Sequence, residues 1–112
     1  RVITIFGTLG GHSTEEMLEE LRALDPVIIL TQSRHPRANS IKNLFRTAMQ
    51  QGLSVEALFD NVGEATRMAL NLAKEDDLII GTGSLSVVAE VIEEVKGIPP
   101  ELYPLFKGTA FR

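Results

Sequence analysis

The chain reads as four short apolar runs, each followed by a turn and then by a longer segment with apolar residues every three or four positions. The runs are Val2–Phe6, Val27–Leu30, Val55–Leu58 and Leu78–Ile80. They are rich in Val, Ile and Leu and do not alternate apolar with polar residues, the pattern of strands buried on both faces of a parallel sheet. The segments between them have helical period. Met17, Leu18, Leu21 and Leu24 form one stripe; Ile41, Leu44, Phe45, Ala48 and Met49 a second; Ala65, Met68, Ala69 and Leu72 a third; Leu85, Val88, Ala89, Ile92 and Val95 a fourth. Ser13 with Glu16, and Asn61 with Glu64, are spaced as capping boxes. Asp25-Pro26 is placed to end the first helix, and Gly52 and Gly97 stand where helices close.

Strand and helix alternating four times predicts right-handed βα units with helices on both faces of a sheet. The expected fold class is α/β: a three-layer α/β/α Rossmann-like domain with a mainly parallel sheet of at least four strands. The first and fourth runs are the most apolar and each runs into glycine, which puts them side by side at the centre in the order 3-2-1-4. Their carboxyl ends then meet at a topological switch point, where such sheets bind ligands. The domain is expected to span residues 1–97. Residues 98–112, with Pro99, Pro100 and the Tyr103-Pro104-Leu105-Phe106 stretch, read as an extended tail that packs its apolar residues back onto the domain or a neighbour.

Composition narrows the function. Lys and Arg number 11 against 15 Asp and Glu, a net charge of −4, which argues against broad binding to a nucleic-acid backbone. There is no cysteine, so disulfides, thiolate metal sites and a cysteine nucleophile are excluded, and a reducing cytoplasm is the fitting compartment. No apolar run approaches the ~20 residues that span a bilayer. The sequence opens directly on a core strand without a signal peptide, as expected of a piece of a longer protein.

Three loops follow strand ends on the expected ligand side. In the first, Gly7-Thr8-Leu9-Gly10-Gly11-His12-Ser13, glycines let backbone amides approach an anion, and a helix N-terminus adds partial positive charge. The spacing fits neither a dinucleotide fingerprint, whose second glycine is here Leu9 and whose acid at the end of the second strand is replaced by Thr31 and Gln32, nor a P-loop, whose lysine is here His12. In the second, Thr31 to Ala38, the cations Arg34 and Arg37 flank His35 and Pro36, and an arginine fork suits carboxylate or phosphate. In the third, Gly81-Thr82-Gly83-Ser84-Leu85, Ser84 is placed to cap a helix or meet a ligand. Each loop also has a plain reading, as a flexible turn, a solvated surface loop and a helix cap respectively. The acidic residues Glu15, Glu16, Glu19 and Glu20, and likewise Glu90, Glu93 and Glu94, read as solvated helix faces. No metal-ligand spacing and no Ser-His-Asp order is found.

The segments Ile5-Phe6-Gly7-Thr8-Leu9, Leu30-Thr31-Gln32-Ser33-Arg34-His35-Pro36-Arg37-Ala38 and Asp76-Asp77-Leu78-Ile79-Ile80-Gly81-Thr82-Gly83-Ser84-Leu85 occur in this order. Together they resemble the C-terminal domain of folylpolyglutamate synthase and its bifunctional dihydrofolate synthase relatives, in the Mur ligase superfamily, over roughly residues 1 to 96. The resemblance implies an ATP- and magnesium-dependent ligase that phosphorylates a folate carboxylate and lets L-glutamate attack the acyl phosphate. It implies an N-terminal ATP-binding domain carrying the P-loop in the same parent chain, so the present chain alone is expected to be inactive and to bind no cofactor tightly. The expected substrate- or nucleotide-facing residues are His12, Ser13, Arg34, His35, Arg37 and Ser84, with Gly7, Gly10, Gly11 and Gly83 as backbone anion-loop positions and no catalytic or metal residue. The family carries Asp-Lys-Asp where this chain has Gly11-His12-Ser13, and an upstream Asp-Gly-Ala-His-Asn-Pro segment, with its strand and helix, is missing here. A stand-alone Rossmann-like module for a nucleotide or small anion is the alternative; a dinucleotide oxidoreductase is disfavoured by the glycine spacing.

Overall fold

A computed structural model describes residues 1–11 and 13–103. Nine elements follow in the order β1 (Val2–Phe6), α1 (Thr14–Leu21), a 3-10 turn (Arg22–Leu24), β2 (Val27–Thr31), α2 (Ile41–Gln50), β3 (Val55–Phe59), α3 (Val62–Leu72), β4 (Leu78–Thr82) and α4 (Leu85–Lys96). The strands form one sheet in the order β3-β2-β1-β4, and every pairing is parallel. This is the order expected from the sequence.

Successive strand residues point to opposite faces, and the core divides accordingly. On one face Ile3, Ile5 and Ile29 pack against Val62, Ala65 and Ala69 of α3 and Val87 of α4. On the other, Phe6, Ile28 and Leu30 meet Leu18 of α1, Leu44 and Ala48 of α2, and Leu53. Three layers result, with α1 and α2 on one side of the sheet and α3 and α4 on the other.

Two expectations change. The four runs do not share one environment: β1 and β2 are enclosed, whereas β3 alternates half-buried with exposed positions and β4 begins exposed. A sheet of four strands has two interior places, so β4 lies beside β1 but at an edge, and Leu78 is 57% exposed. The second change concerns α4. Its apolar stripe was expected to face the core, yet Leu85 is 87% exposed and Ile92 and Val95 are also exposed. The buried face carries Ser86, Val87 and Glu90 instead. Two of those three are polar, so hydrophobic period alone selects the wrong side of this helix.

Helix termini follow the sequence except at α1. The side chains of Ser40, Asn61 and Ser84 accept amides at the starts of α2, α3 and α4. Ser13 occupies the N-cap position but makes no side-chain capping bond, so the box with Glu16 is absent. The first helix closes through the 3-10 turn to Asp25, at φ 47°, before Pro26. Helix α4 ends at Gly97, whose φ of 67° closes it, and the amide of Ile98 returns to the carbonyl of Glu93. Residues 98–103 then run without regular structure. Pro104, Leu105 and Phe106, part of the expected tail, lie outside the described residues.

Candidate functional site

The carboxyl ends of β2, β1 and β4 meet on one rim. Gly7 follows β1, and a Cβ there would stand 2.6 Å from the carbonyl oxygen of Thr31 and 3.0 Å from Val87 Cγ2. Gly83 follows β4 with φ 110°, and a Cβ there would overlap the Gly7 carbonyl oxygen. The three strand ends are therefore packed backbone to backbone, an approach open to glycine alone. The amide of Gly7 is spent on the Thr82 carbonyl at 3.3 Å and that of Gly10 on the Arg37 carbonyl at 2.7 Å. In this arrangement neither amide is free to hold an anion. This corrects the expected role of these two glycines: the first glycine loop closes strand ends and grips its neighbour. Gly11, at φ 86°, sits exposed on open space at the loop's outer end.

The first and second loops are joined as a small antiparallel bridge between Leu9 and Ala38. The amide of Asn39 donates to the Thr8 carbonyl at 2.8 Å, and its side-chain amide donates to Thr8 Oγ1, also at 2.8 Å. The hydroxyls of Thr8 and Thr14 share a hydrogen bond of 2.9 Å, which carries the join to the first turn of α1.

The second loop is also tied to α4. Ser33 Oγ and Ser86 Oγ lie 2.9 Å apart, and Ser86 Oγ lies 2.9 Å from Ser84 Oγ, a buried string of three hydroxyls. Ser84 caps α4 by accepting the Val87 amide. Beside the string, Glu90 is 3% exposed. It accepts the Arg34 amide at 2.9 Å, the Tyr103 hydroxyl at 3.1 Å, and an ion pair with the Arg34 guanidinium at 3.5 Å. The same guanidinium donates to Glu93 at 2.9 Å and to the Glu101 carbonyl at 2.8 Å, and lies over the Tyr103 ring. The expectation that Glu90 and Glu93 form a solvated face is thus overturned: both are engaged by one arginine.

These contacts bias protonation. Burial pushes the Tyr103 phenol up to about 12, and the adjacent Glu90 carboxylate adds to the shift. Burial works against ionisation of Glu93, but the Glu101 amide and Arg34 together hold its carboxyl below the usual range. Arg34 loses hydration, yet its two carboxylates raise its pKa.

The expected site residues therefore separate. Gly7, Gly10, Gly83, Ser84, His35 and Arg37 gather on the rim. Arg34 remains exposed but its guanidinium is paired with Glu90 and Glu93. His35 accepts the Arg37 amide on Nδ1 at 3.0 Å and presents its ring edgewise to Tyr103, with centroids 5.3 Å apart. Arg37 is exposed, and its guanidinium makes no hydrogen bond or ion pair among the described residues. Ser13 is exposed at the start of α1. His12 lies outside the described residues. Sequence reasoning missed Glu90, Tyr103, Asn39 and the Ser33–Ser86 pair. The signal for Glu90 was its three-residue spacing from Val87, which puts it on the face of α4 that meets the sheet.

No group of three His, Asp or Glu side chains placed to hold a metal ion occurs among the described residues. The exposed guanidinium of Arg37 fits a phosphate or a carboxylate.

A three-layer α/β domain with a parallel four-stranded sheet, and with glycine turns and a capping serine on the carboxyl rim of that sheet, belongs to the class of Rossmann-like domains. Comparison with known proteins is more specific. The family described as Mur ligase, glutamate ligase domain, matches residues 1–85, and the chain belongs to it. Solved structures share the fold. FolC from E. coli, in complex with DHPP and ADP, superposes with a TM-score of 0.72 at 24% identity, over 87% of this chain and 22% of that one. The bifunctional folylpolyglutamate synthase/dihydrofolate synthase of Yersinia pestis, with AMPPNP and Mn, gives 0.73 at 24% identity, over 86% and 22%. Folylpolyglutamate synthase of Mycobacterium tuberculosis, with ADP and AMPPCP, gives 0.67 at 22% identity, over 89% and 24%. The chain thus spans less than a quarter of the length of these proteins. No curated protein matches.

Proposed function

We propose that this chain is the C-terminal domain of an ATP-dependent folylpolyglutamate synthase-like ligase, with residues 1–97 as the domain and the remainder as a tail. The parent enzyme joins L-glutamate to a folate carboxylate through an acyl phosphate, in the cytoplasm, with ATP and magnesium held largely by an N-terminal domain. No helix among the described residues is long and apolar enough to cross a membrane. The observation that carries the reading is the exposed Arg37, unengaged among the described residues, on a rim whose other cation, Arg34, is already neutralised. A guanidinium so placed attracts a carboxylate or phosphate and orients it by a two-pronged hydrogen bond. The capped N-terminus of α4 adds its partial positive charge on the same rim. Such a domain positions an anionic partner and excludes water when it closes on a second domain; it supplies no nucleophile of its own.

The test is ATP-dependent ligation of labelled glutamate to a folate, run with the 112-residue chain alone and with the chain joined to an ATP-binding domain of the ligase type. The expected result is no product from the isolated chain, product from the joined protein, and a rise of about tenfold or more in one substrate KM on Arg37→Ala. Ligation by the isolated chain overturns the division of labour. Unchanged KM values for glutamate and ATP in Arg37→Ala overturn the assignment of the rim.

A further inference from the structure

The buried carboxylate of Glu90 has no role in the proposed function so far. A carboxylate enclosed on a helix face that otherwise packs Val87 against the sheet is costly unless fully paired. Here it is paired with groups that lie 56 and 13 residues away in the chain. An apolar residue would pack at this position without needing either partner, so stability alone does not account for a glutamate.

What Glu90 holds is the inner end of the second rim loop. The Arg34 amide is fixed on its carboxylate, and Ser33 beside it is fixed on Ser86. Tyr103, anchored by its hydroxyl to Glu90, stands edge-on to the His35 ring. The far side of that ring's work is Nδ1, which accepts the Arg37 amide at 3.0 Å. The Arg37 carbonyl in turn accepts the Gly10 amide. Hydrogen bonds and one ring contact thus run without a gap from Glu90 to the backbone of the exposed arginine. Because the same carboxylate neutralises Arg34 together with Glu93, the loop offers one guanidinium to an incoming anion and not two.

We infer that Glu90 and Tyr103 form a positioning pair that fixes the Arg34–Arg37 turn so that Arg37 meets a single carboxylate or phosphate of the substrate in a set orientation. This rests on the reading of Arg37 as the anion contact. Neither member of the pair touches the substrate; both act through Arg34 and His35.

The experiment compares Arg37→Ala, Glu90→Gln and Tyr103→Phe in the intact ligase carrying this chain, measuring kcat, the KM for glutamate, the KM for ATP and the melting temperature. Tyr103→Phe removes one hydroxyl from the partly exposed 98–103 segment and decides the matter if Glu90→Gln does not fold. Both positioning variants are expected to raise the KM that Arg37→Ala raises, by about tenfold or less, with kcat near the wild-type value. In the 112-residue chain, Tyr103→Phe is expected to shift the nitrogen resonances of His35 Nδ1 and of the Arg37 amide. If Arg37→Ala raises a KM while folded Glu90→Gln and Tyr103→Phe leave it unchanged, the positioning inference fails by itself. If Arg37→Ala changes neither KM, the underlying reading of the rim fails. A lowered melting temperature with unaltered KM and unaltered resonances reduces the pair to structural support and overturns the inference.

Discussion

Gly83 is the residue at which backbone geometry leaves least choice. Its φ of 110° disfavours any side chain, and a Cβ would enter the carbonyl of Gly7. Gly83→Ala should lose about 3 kcal/mol or more, read from denaturant midpoints, because the obstructing atom is backbone and cannot turn aside. Thr4 and Thr31 make the opposite case. Their hydroxyls are buried without a hydrogen-bond partner among the described residues. Thr4→Val keeps the branched shape and removes the unpaired oxygen, so it should raise stability by about 1 kcal/mol in the same measurement. Tyr103 can be followed by its absorbance in an alkaline titration, being the one tyrosine of the sequence. Its folded-state pKa is raised to about 12. The stability linked to the neutral phenol is therefore complete below its ordinary value near 10 and is lost as pH rises through about 12. A midpoint near 10 in the native chain would show that the hydroxyl is not held by Glu90.

At the scale of elements, α4 is the most informative. Its outer stripe and its buried face make contrary demands on substitution. Ile92→Lys and Val95→Lys should leave stability within about 0.5 kcal/mol, since both positions are already exposed. Val87→Ala, 1% exposed, should cost about 2 kcal/mol through lost contact with the sheet. Reversed magnitudes would return the helix to the orientation that its hydrophobic period suggests. That period was misleading for a physical reason. Ser86 and Glu90 become suitable for burial through Ser33, Ser84, Arg34 and Tyr103, partners that a local pattern does not contain. The central strands were legible because Ile3, Ile5, Ile28, Ile29 and Leu30 need nothing beyond apolar neighbours to be enclosed. The rim was legible in outline from its glycines and arginines. Which arginine would be consumed internally was not, since that depends on carboxylates 56 and 59 residues further on.

Across the whole molecule, the opposite end of the sheet is stitched by Arg1 and Asp77. The guanidinium donates to the carboxylate at 2.9 Å and to the Leu72 carbonyl, joining the start of β1 to the approach to β4. The Lys74 amide and then Arg1 hold the Asp77 carboxyl down to about 2. A depressed pKa contributes stability above the ordinary carboxylate value, and that contribution disappears as pH falls through about 2. Melting temperatures recorded between about pH 5 and pH 2 should decline less steeply in Asp77→Asn than in the parent chain. Equal slopes would remove Asp77 from the acid response.

The sequence has no tryptophan and a single tyrosine, so emission from the chain comes from the residue seated on Glu90. Excited-state proton transfer from a phenol to a bonded carboxylate dims the fluorophore. Release of the 98–103 segment would therefore brighten it while the sheet stays folded. The protein thus carries its own optical reporter for detachment of that segment, readable without a dye or a label.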